Sequence, residues 1–176
     1  MVDKKVAIIT GAGRGLGEAV ARDLLGKGIS VVVADMNKIN IYKYKVNSQF
    51  NDSANIMSYQ VDVSKRMEVK KMFASAYERF KQIDYLINFA GINRDAPFIE
   101  MTDEDWDSVI SVHLKGTFIC CQEFVKLKSH GNGHIINVSA ACGIQGRKNG
   151  VNFCSAKAGV LAFTKCLALE LSPKIQ

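Results

Sequence analysis

The run Thr10-Gly11-Ala12-Gly13-Arg14-Gly15-Leu16-Gly17 carries the densest chemical signal in the chain. It follows a short apolar stretch, Lys5 to Thr10. It precedes a stretch whose apolar residues Leu16, Ala19, Val20, Leu24 and Leu25 fall at helical spacing up to Gly26-Lys27-Gly28. Glycine tolerates positive φ and lets the backbone approach a bound group closely. The unpaired N–H groups and positive dipole end of a helix start favour an anion there. Strand, glycine turn and helix in this order form a cradle for a dinucleotide pyrophosphate, lined by Gly11, Gly13, Arg14, Gly15, Leu16 and Gly17.

Asp35 closes the next apolar run, Ile29 to Ala34. A carboxylate at this place accepts hydrogen bonds from the adenosine ribose hydroxyls and repels a 2′-phosphate, which puts NAD ahead of NADP. Arg14 pulls the other way, because a guanidinium in the loop pairs with phosphate. A solvated strand end is the plainer account of Asp35.

These residues need elements to hold them. Further apolar runs at Ile56–Val61, Tyr85–Phe89 and His134–Val138 read as strands. Between them, Ser64 is placed to cap a helix carrying Val69, Met72, Phe73, Ala76 and Phe80. Thr102-Asp103-Glu104-Asp105 opens a long helix with a capping hydroxyl and acids in its first turn. Phe153 to Leu171 reads as a last helix stopped by Pro173. Strands alternating with helices imply a three-layer α/β/α sandwich, a Rossmann-type doubly wound parallel sheet forming one domain over residues 1–176. One stretch fits badly. A crossover helix belongs between Asp35 and Ile56, yet the apolar residues of Met36 to Asn47 alternate more as in a strand.

Composition narrows the class. Apolar residues make up 48% and charged residues 23% of 176, the balance of a soluble globular domain. No apolar run reaches the roughly 18–20 residues of a membrane span, and no cleavage pattern follows the N-terminus, so a cytoplasmic location is expected. Cys120, Cys121, Cys142, Cys154 and Cys166 form no C-x-x-C pair, and His113, His130 and His134 show no ligand spacing with them; free thiols and no metal are expected. The net charge of +6 is spread along the chain, with a mild excess at Lys38, Lys43 and Lys45. An anionic dinucleotide or acyl carrier accounts for it, and nothing reads as a nucleic-acid motif.

Taken together, the glycine spacing of residues 10–17, Asp62-Val63, Asn88-Phe89-Ala90-Gly91 and Gly133 to Ser139 resemble the short-chain dehydrogenase/reductase family of the classical type. Asn93-Arg94-Asp95 and Trp106 through Phe118 resemble 3-oxoacyl-carrier-protein reductases and acetoacetyl-CoA reductases in particular. The resemblance implies hydride transfer between a nicotinamide and a 3-oxoacyl-like carbonyl or hydroxyl substrate. It adds Asp62, Val63, Asn88, Ala90 and Gly91 to the cofactor contacts.

For the reacting groups it implies a tyrosine that moves the proton, a lysine that holds the nicotinamide ribose, a serine on the substrate oxygen and an asparagine behind a water relay. These positions fall on Phe153, Lys157, Ala140 and His113. The lysine is kept, and Phe153 has no proton to give. Ala140 has no hydroxyl, and Ser139 beside it points to the other strand face. His113 reads either as a proton shuttle or as a core histidine, and Lys157 either as a ribose ligand or as a solvated lysine. Phe89 replaces a further asparagine near the cofactor.

The resemblance also implies two C-terminal strands beyond Pro173, which would leave the sheet with five strands and the fifth at an exposed edge. Val160, Leu161, Phe163, Leu167 and Leu169 would then lack part of their cover and invite a partner copy or a paralogue. Three functions stay open: an NAD(P)-linked oxidoreductase of impaired activity, a cofactor-binding pseudoenzyme or partner subunit, and a truncated product without function.

Overall fold

The computed structural model describes residues 4–44, 53–128 and 131–176. Five parallel strands, β1 (Val6–Thr10), β2 (Ser30–Asp35), β3 (Ile56–Gln60), β4 (Tyr85–Asn88) and β5 (His134–Asn137), form one sheet in the order β3-β2-β1-β4-β5. The order reverses direction beside β1, so a crevice opens at the C-terminal end of that strand. Helices α1 (Gly15–Gly26), α2 (Arg66–Phe80), α3 (Asp103–Ile110), α4 (Gly116–Leu127), α5 (Cys142–Gln145) and α6 (Val151–Leu171) connect and cover the strands.

Successive strand residues face opposite sides, and the core divides accordingly. Ile8, Val32 and Leu86 pack with Val69, Met72 and Phe73 of α2 and with Ile119 and Phe124 of α4. Ile9, Val31, Val33 and Ile87 pack with Ala21 and Leu25 of α1 and with Tyr44. The expected α/β/α layering is therefore observed. Burial of β1 and β2 on both faces explains why they read as unbroken apolar runs.

Some local expectations hold and others need correction. Thr102 caps α3 through a full capping box, its hydroxyl accepting from the Asp105 N–H while the Asp105 carboxylate receives the Thr102 N–H. The long helix passes through a π turn over Ser111–Lys115 before α4. Ser64 does not cap α2. Asp62 Oδ1 takes both the Ser64 N–H and its hydroxyl, at 2.9 and 2.7 Å, in a local turn, and Lys65 occupies the N-cap, so Ser64 lies one residue outside the capping position. Leu16 stays out of the core at 73% exposure.

Over its described residues 36–44, the stretch after β2 forms neither the strand nor the crossover helix that its pattern offered. Its described part closes into one 3-10 turn, Ile41–Tyr44, because burial of Tyr44 overrides the alternation. Lys45, Val46, Asn47 and His130 lie outside the described residues. The β5 edge is not bare, because the chain's last residues run beside it. Ile135 N–H donates to the Gln176 carbonyl at 2.7 Å and Gln176 N–H to the Gly133 carbonyl at 3.0 Å. On α6, Val160 is buried, Leu161, Phe163 and Leu167 are half-buried, and Leu169 is exposed.

Candidate functional site

Sheet register carries the expected site segments to one place. Thr10 is level with Ala34 and with Asn88, and Asn88 with Asn137. The glycine loop, Asp35, Phe89–Gly91 and Val138–Ala140 therefore all leave the sheet at the same edge.

The glycine loop is shaped by contacts that a side chain would break. Gly11 has φ +66°, and a Cβ there would lie 2.7 Å from the Ala90 nitrogen. A Cβ on Gly17 would lie 2.5 Å from the Gly11 carbonyl oxygen, which locks the start of α1 against the turn. Above Gly15 (φ +60°) nothing lies within 4 Å, so the loop offers an open face at the helix start. The Gly13 N–H donates to Asp35 Oδ2 at 2.9 Å, while Asp35 Oδ1 takes the Asn37 N–H at 3.0 Å. Asp35 is thus more than a solvated strand end, because it ties the loop to β2. These features fit a group with a pyrophosphate and a ribose.

Other expected contacts lie deeper. Val63 is buried, and a Cβ on Gly116 would meet its Cγ2 at 2.7 Å, so only its backbone is available to a ligand. Asn88 is turned into the protein, where its Nδ2 donates to Asn137 Oδ1 at 2.8 Å and its own Oδ1 is buried without a partner among the described residues. Ala90 N–H donates to Thr10 Oγ1 at 3.3 Å, joining β4 to β1 above the sheet. A groove of about 420 Å³ between the start of α2 and α3 is lined by Asp62, Ser64, Glu104 and Ser111, with neither the glycine loop nor Lys157 in its wall.

The residues expected at the reaction centre gather around Phe153. Lys157, 7% exposed, donates from Nζ to the Val138 carbonyl at 2.6 Å, and its ammonium lies 5.6 Å from the Phe153 ring centre. Burial lowers the Lys157 pKa. His113 sits in the π turn, 3% exposed, with its ring edge-on to Phe153 at 5.0 Å between centres. Its Nε2 lies 3.0 Å from the Ile92 nitrogen and 2.7 Å from the Ile92 oxygen, and Nδ1 has no partner among the described residues. Burial pulls the imidazole pKa down to about 4, so the ring is neutral at pH 7. A Cβ on Gly91 would lie 2.3 Å from His113 Cε1, which makes Gly91 a packing partner of that ring. Ala140 brings no donor, and the Ser139 hydroxyl is engaged with the Lys157 carbonyl at 2.9 Å.

Some participants were not apparent beforehand. Asn152, fully buried, donates to the Arg94 carbonyl at 2.7 Å and accepts from the Phe153 N–H, pinning the start of α6. Arg147 pairs with both oxygens of Asp95 at 2.6 and 2.8 Å, its guanidinium 5.0 Å from the Phe153 ring centre. Lys43 and Tyr44 bind the glycine loop from outside; the lysine excess was the only sign of them. Among the described residues, no group of three or more His, Cys, Asp or Glu could hold a metal, all five cysteines are free, and no helix is long and apolar enough to cross a membrane.

With this geometry in hand, comparison with known proteins is specific. A family model described as short chain dehydrogenase matches residues 5–176. The 3-oxoacyl-(acyl-carrier-protein) reductase FabG of Thermotoga maritima is 36% identical over 172 residues, covering 97% of this chain and 70% of the reductase. The short-chain reductase protein NovJ of Streptomyces niveus is 36% identical over 171 residues, covering 97% and 64%. The crystal structure of a short chain dehydrogenase from Mycobacterium smegmatis superposes with a TM-score of 0.86 at 28% identity, covering 95% of this chain and 70% of that one.

Proposed function

This chain belongs to the short-chain dehydrogenase family, and on that premise we propose that it holds a nicotinamide dinucleotide, NAD ahead of NADP, beside a reaction centre of impaired activity. The observation that carries the reading is the Gly13–Asp35 hydrogen bond below the open face of Gly15. It sets a carboxylate beside a loop that has room for a pyrophosphate. The unpaired backbone N–H groups at the start of α1 receive the pyrophosphate, and Asp35 receives the ribose hydroxyls. The bound group supplies a hydride for a 3-oxoacyl-like carbonyl, or accepts one from the hydroxyl.

At the reaction centre, Lys157 spends one ammonium donor on Val138 and keeps two for ribose hydroxyls. Neutral His113 is held to the Ile92 backbone and supports the wall behind Phe153. Phe153 has no proton to transfer, and general acid–base catalysis typically supplies about 10²–10⁴ in rate. A missing oxyanion donor at Ala140 costs about 10²–10³ more, though losses within one unit do not simply multiply.

The apolar Phe153 ring, packed against His113 and below Arg147, favours a second reading. In it the chain is a cofactor-binding partner of a complete paralogue. Partly exposed Trp106 and Phe118 on α3 and α4, with exposed Leu169 on α6, suit a homo- or hetero-oligomer, and the reading places the chain in the cytoplasm.

Titration of the purified chain with NADH and NADPH, followed by nicotinamide fluorescence, tests the reading. Saturable binding with NADH preferred supports it, and a folded chain that binds neither cofactor overturns it. Turnover of acetoacetyl-CoA at a rate typical of complete reductases would contradict the impairment.

A further inference from the structure

Four successive backbone groups of the glycine loop are each held by a different partner. The Ala12 N–H donates to the Ala34 carbonyl of β2 at 3.0 Å. The Ala12 carbonyl accepts from the Tyr44 hydroxyl. The Gly13 N–H donates to Asp35 at 2.9 Å. The Gly13 carbonyl accepts from the Lys43 ammonium. In a trans peptide the carbonyl and the next N–H point in opposite directions. Fixing the Ala12 carbonyl on the outside of the loop therefore turns the Gly13 N–H inward onto Asp35. Fixing the Gly13 carbonyl turns the Arg14 N–H away from Lys43, and that N–H is the first in the series without a partner among the described residues.

The two outer partners are themselves well held. Tyr44 is 1% exposed and packs with Ala12, Ala21 and Val33, so its hydroxyl has little freedom to leave. Lys43 is anchored by Glu18 at 2.8 Å, and Glu18 also takes Arg22 at 2.9 Å. The guanidinium of Arg22 lies 5.7 Å from the centre of the Tyr44 ring, and the Lys43 ammonium 5.2 Å from it, closing the cluster. The Lys43 hydrogen bond lowers the Glu18 pKa, so the anchor stays ionised at neutral pH.

We propose that Tyr44 and Lys43 are positioning residues of the dinucleotide site, clamping the Ala12 and Gly13 carbonyls so that Asp35 and the Arg14 N–H are presented to the ligand. The proposal rests on the cofactor reading above and adds residues to it. The clamp is a device for discrimination as well as affinity. Asp35 separates NADH from NADPH only if its carboxylate is held in place, and the Gly13 N–H that holds it is oriented by Tyr44.

The test is the pair of dissociation constants, for NADH and NADPH, of the wild-type chain and Tyr44→Phe, with melting temperature alongside. Removing the hydroxyl keeps the ring and leaves the Ala12 carbonyl without its donor. NADH binding is expected to weaken about tenfold, and the preference for NADH over NADPH to shrink about fivefold. A purely structural role would leave that preference unchanged, since a general loss of order weakens both ligands together. Lys43→Met, at a partly exposed side chain, carries the same expectation if Tyr44→Phe does not fold. Wild-type binding of NADH with the NADH preference unchanged in folded variants, whatever their affinity, overturns the clamp alone. A folded wild-type chain that binds neither cofactor overturns the cofactor reading and the clamp with it.

Discussion

The two halves of the cleft are equipped differently. On the β1–β2 side, four consecutive backbone groups have partners, Gly11, Gly13 and Gly17 sit where side chains would collide, and the acid at the strand end is oriented. On the β5–α6 side the scaffold is equally well made, with Asn152 pinning the helix start and Lys157 bonded to Val138, yet Phe153 and Ala140 present no exchangeable proton. Holding a dinucleotide depends on backbone geometry and one carboxylate, whereas transferring a proton depends on particular side-chain atoms. On the proposed reading, the second is lost at two positions while the first is kept.

The largest expected effect breaks this contrast from the catalytic side. Phe153→Tyr with Ala140→Ser should raise acetoacetyl-CoA reduction by about 10²–10⁴. The assay is to be run on the chain as it stands and with the C-terminal segment of the Thermotoga reductase appended. No gain in either form, with NADH binding intact, would show that more than proton donors separates the halves.

His113 offers a stability test of the same side. Its folded-state pKa of about 4 lies below the usual 6.5, so the unfolded chain takes up a proton more readily. Stability is therefore full above about pH 6.5 and falls as pH drops toward 4, by about 3 kcal/mol in total. Urea melts at pH 7 and pH 5 should show the decline in wild type and a flatter response in His113→Asn. Equal slopes would remove the titrating histidine from the account.

A smaller change attacks the cofactor side. Gly17→Ala sets a methyl group against the Gly11 carbonyl, a fixed backbone atom, and overpacking of this kind costs about 1–3 kcal/mol. NADH affinity should fall at least about tenfold. Normal NADH binding would mean that the loop is looser than its contacts imply. The mildest probe is Thr102→Ala, which removes the α3 cap and should cost about 1 kcal/mol of stability without moving the NADH dissociation constant. A parallel loss of NADH affinity would show that the halves are coupled.

Much of this was legible in the chain. The strands of β1 and β2 are buried on both faces, so their apolar runs had one reading. The glycine loop announced itself because φ +66° at Gly11 and the close approach at Gly17 exclude other residues. The Thr102 capping box was equally plain, since its two hydrogen bonds are local. Ser64 misled because its local turn with Asp62 leaves the N-cap to Lys65, one residue further on. The stretch after Asp35 misled because Tyr44 is placed by contacts with α1 and β2, which no local alternation records. The side chains of Val63 and Asn88 are turned inward by packing, which no local pattern records.

The sequence by itself therefore determined what is written in neighbouring residues: the alternation of strand and helix, the glycine turn, the acid that follows it, and the absence of a hydroxyl at 153 and 140. Only the tertiary structure decided what depends on distant groups meeting. Register between β1, β4 and β5 brought the loop and Lys157 to one edge, and burial made His113 neutral. The turn at Ile41–Tyr44 became the outer wall of the glycine loop. Those outcomes are set by packing and desolvation between segments far apart in the chain, and such terms have no local signature.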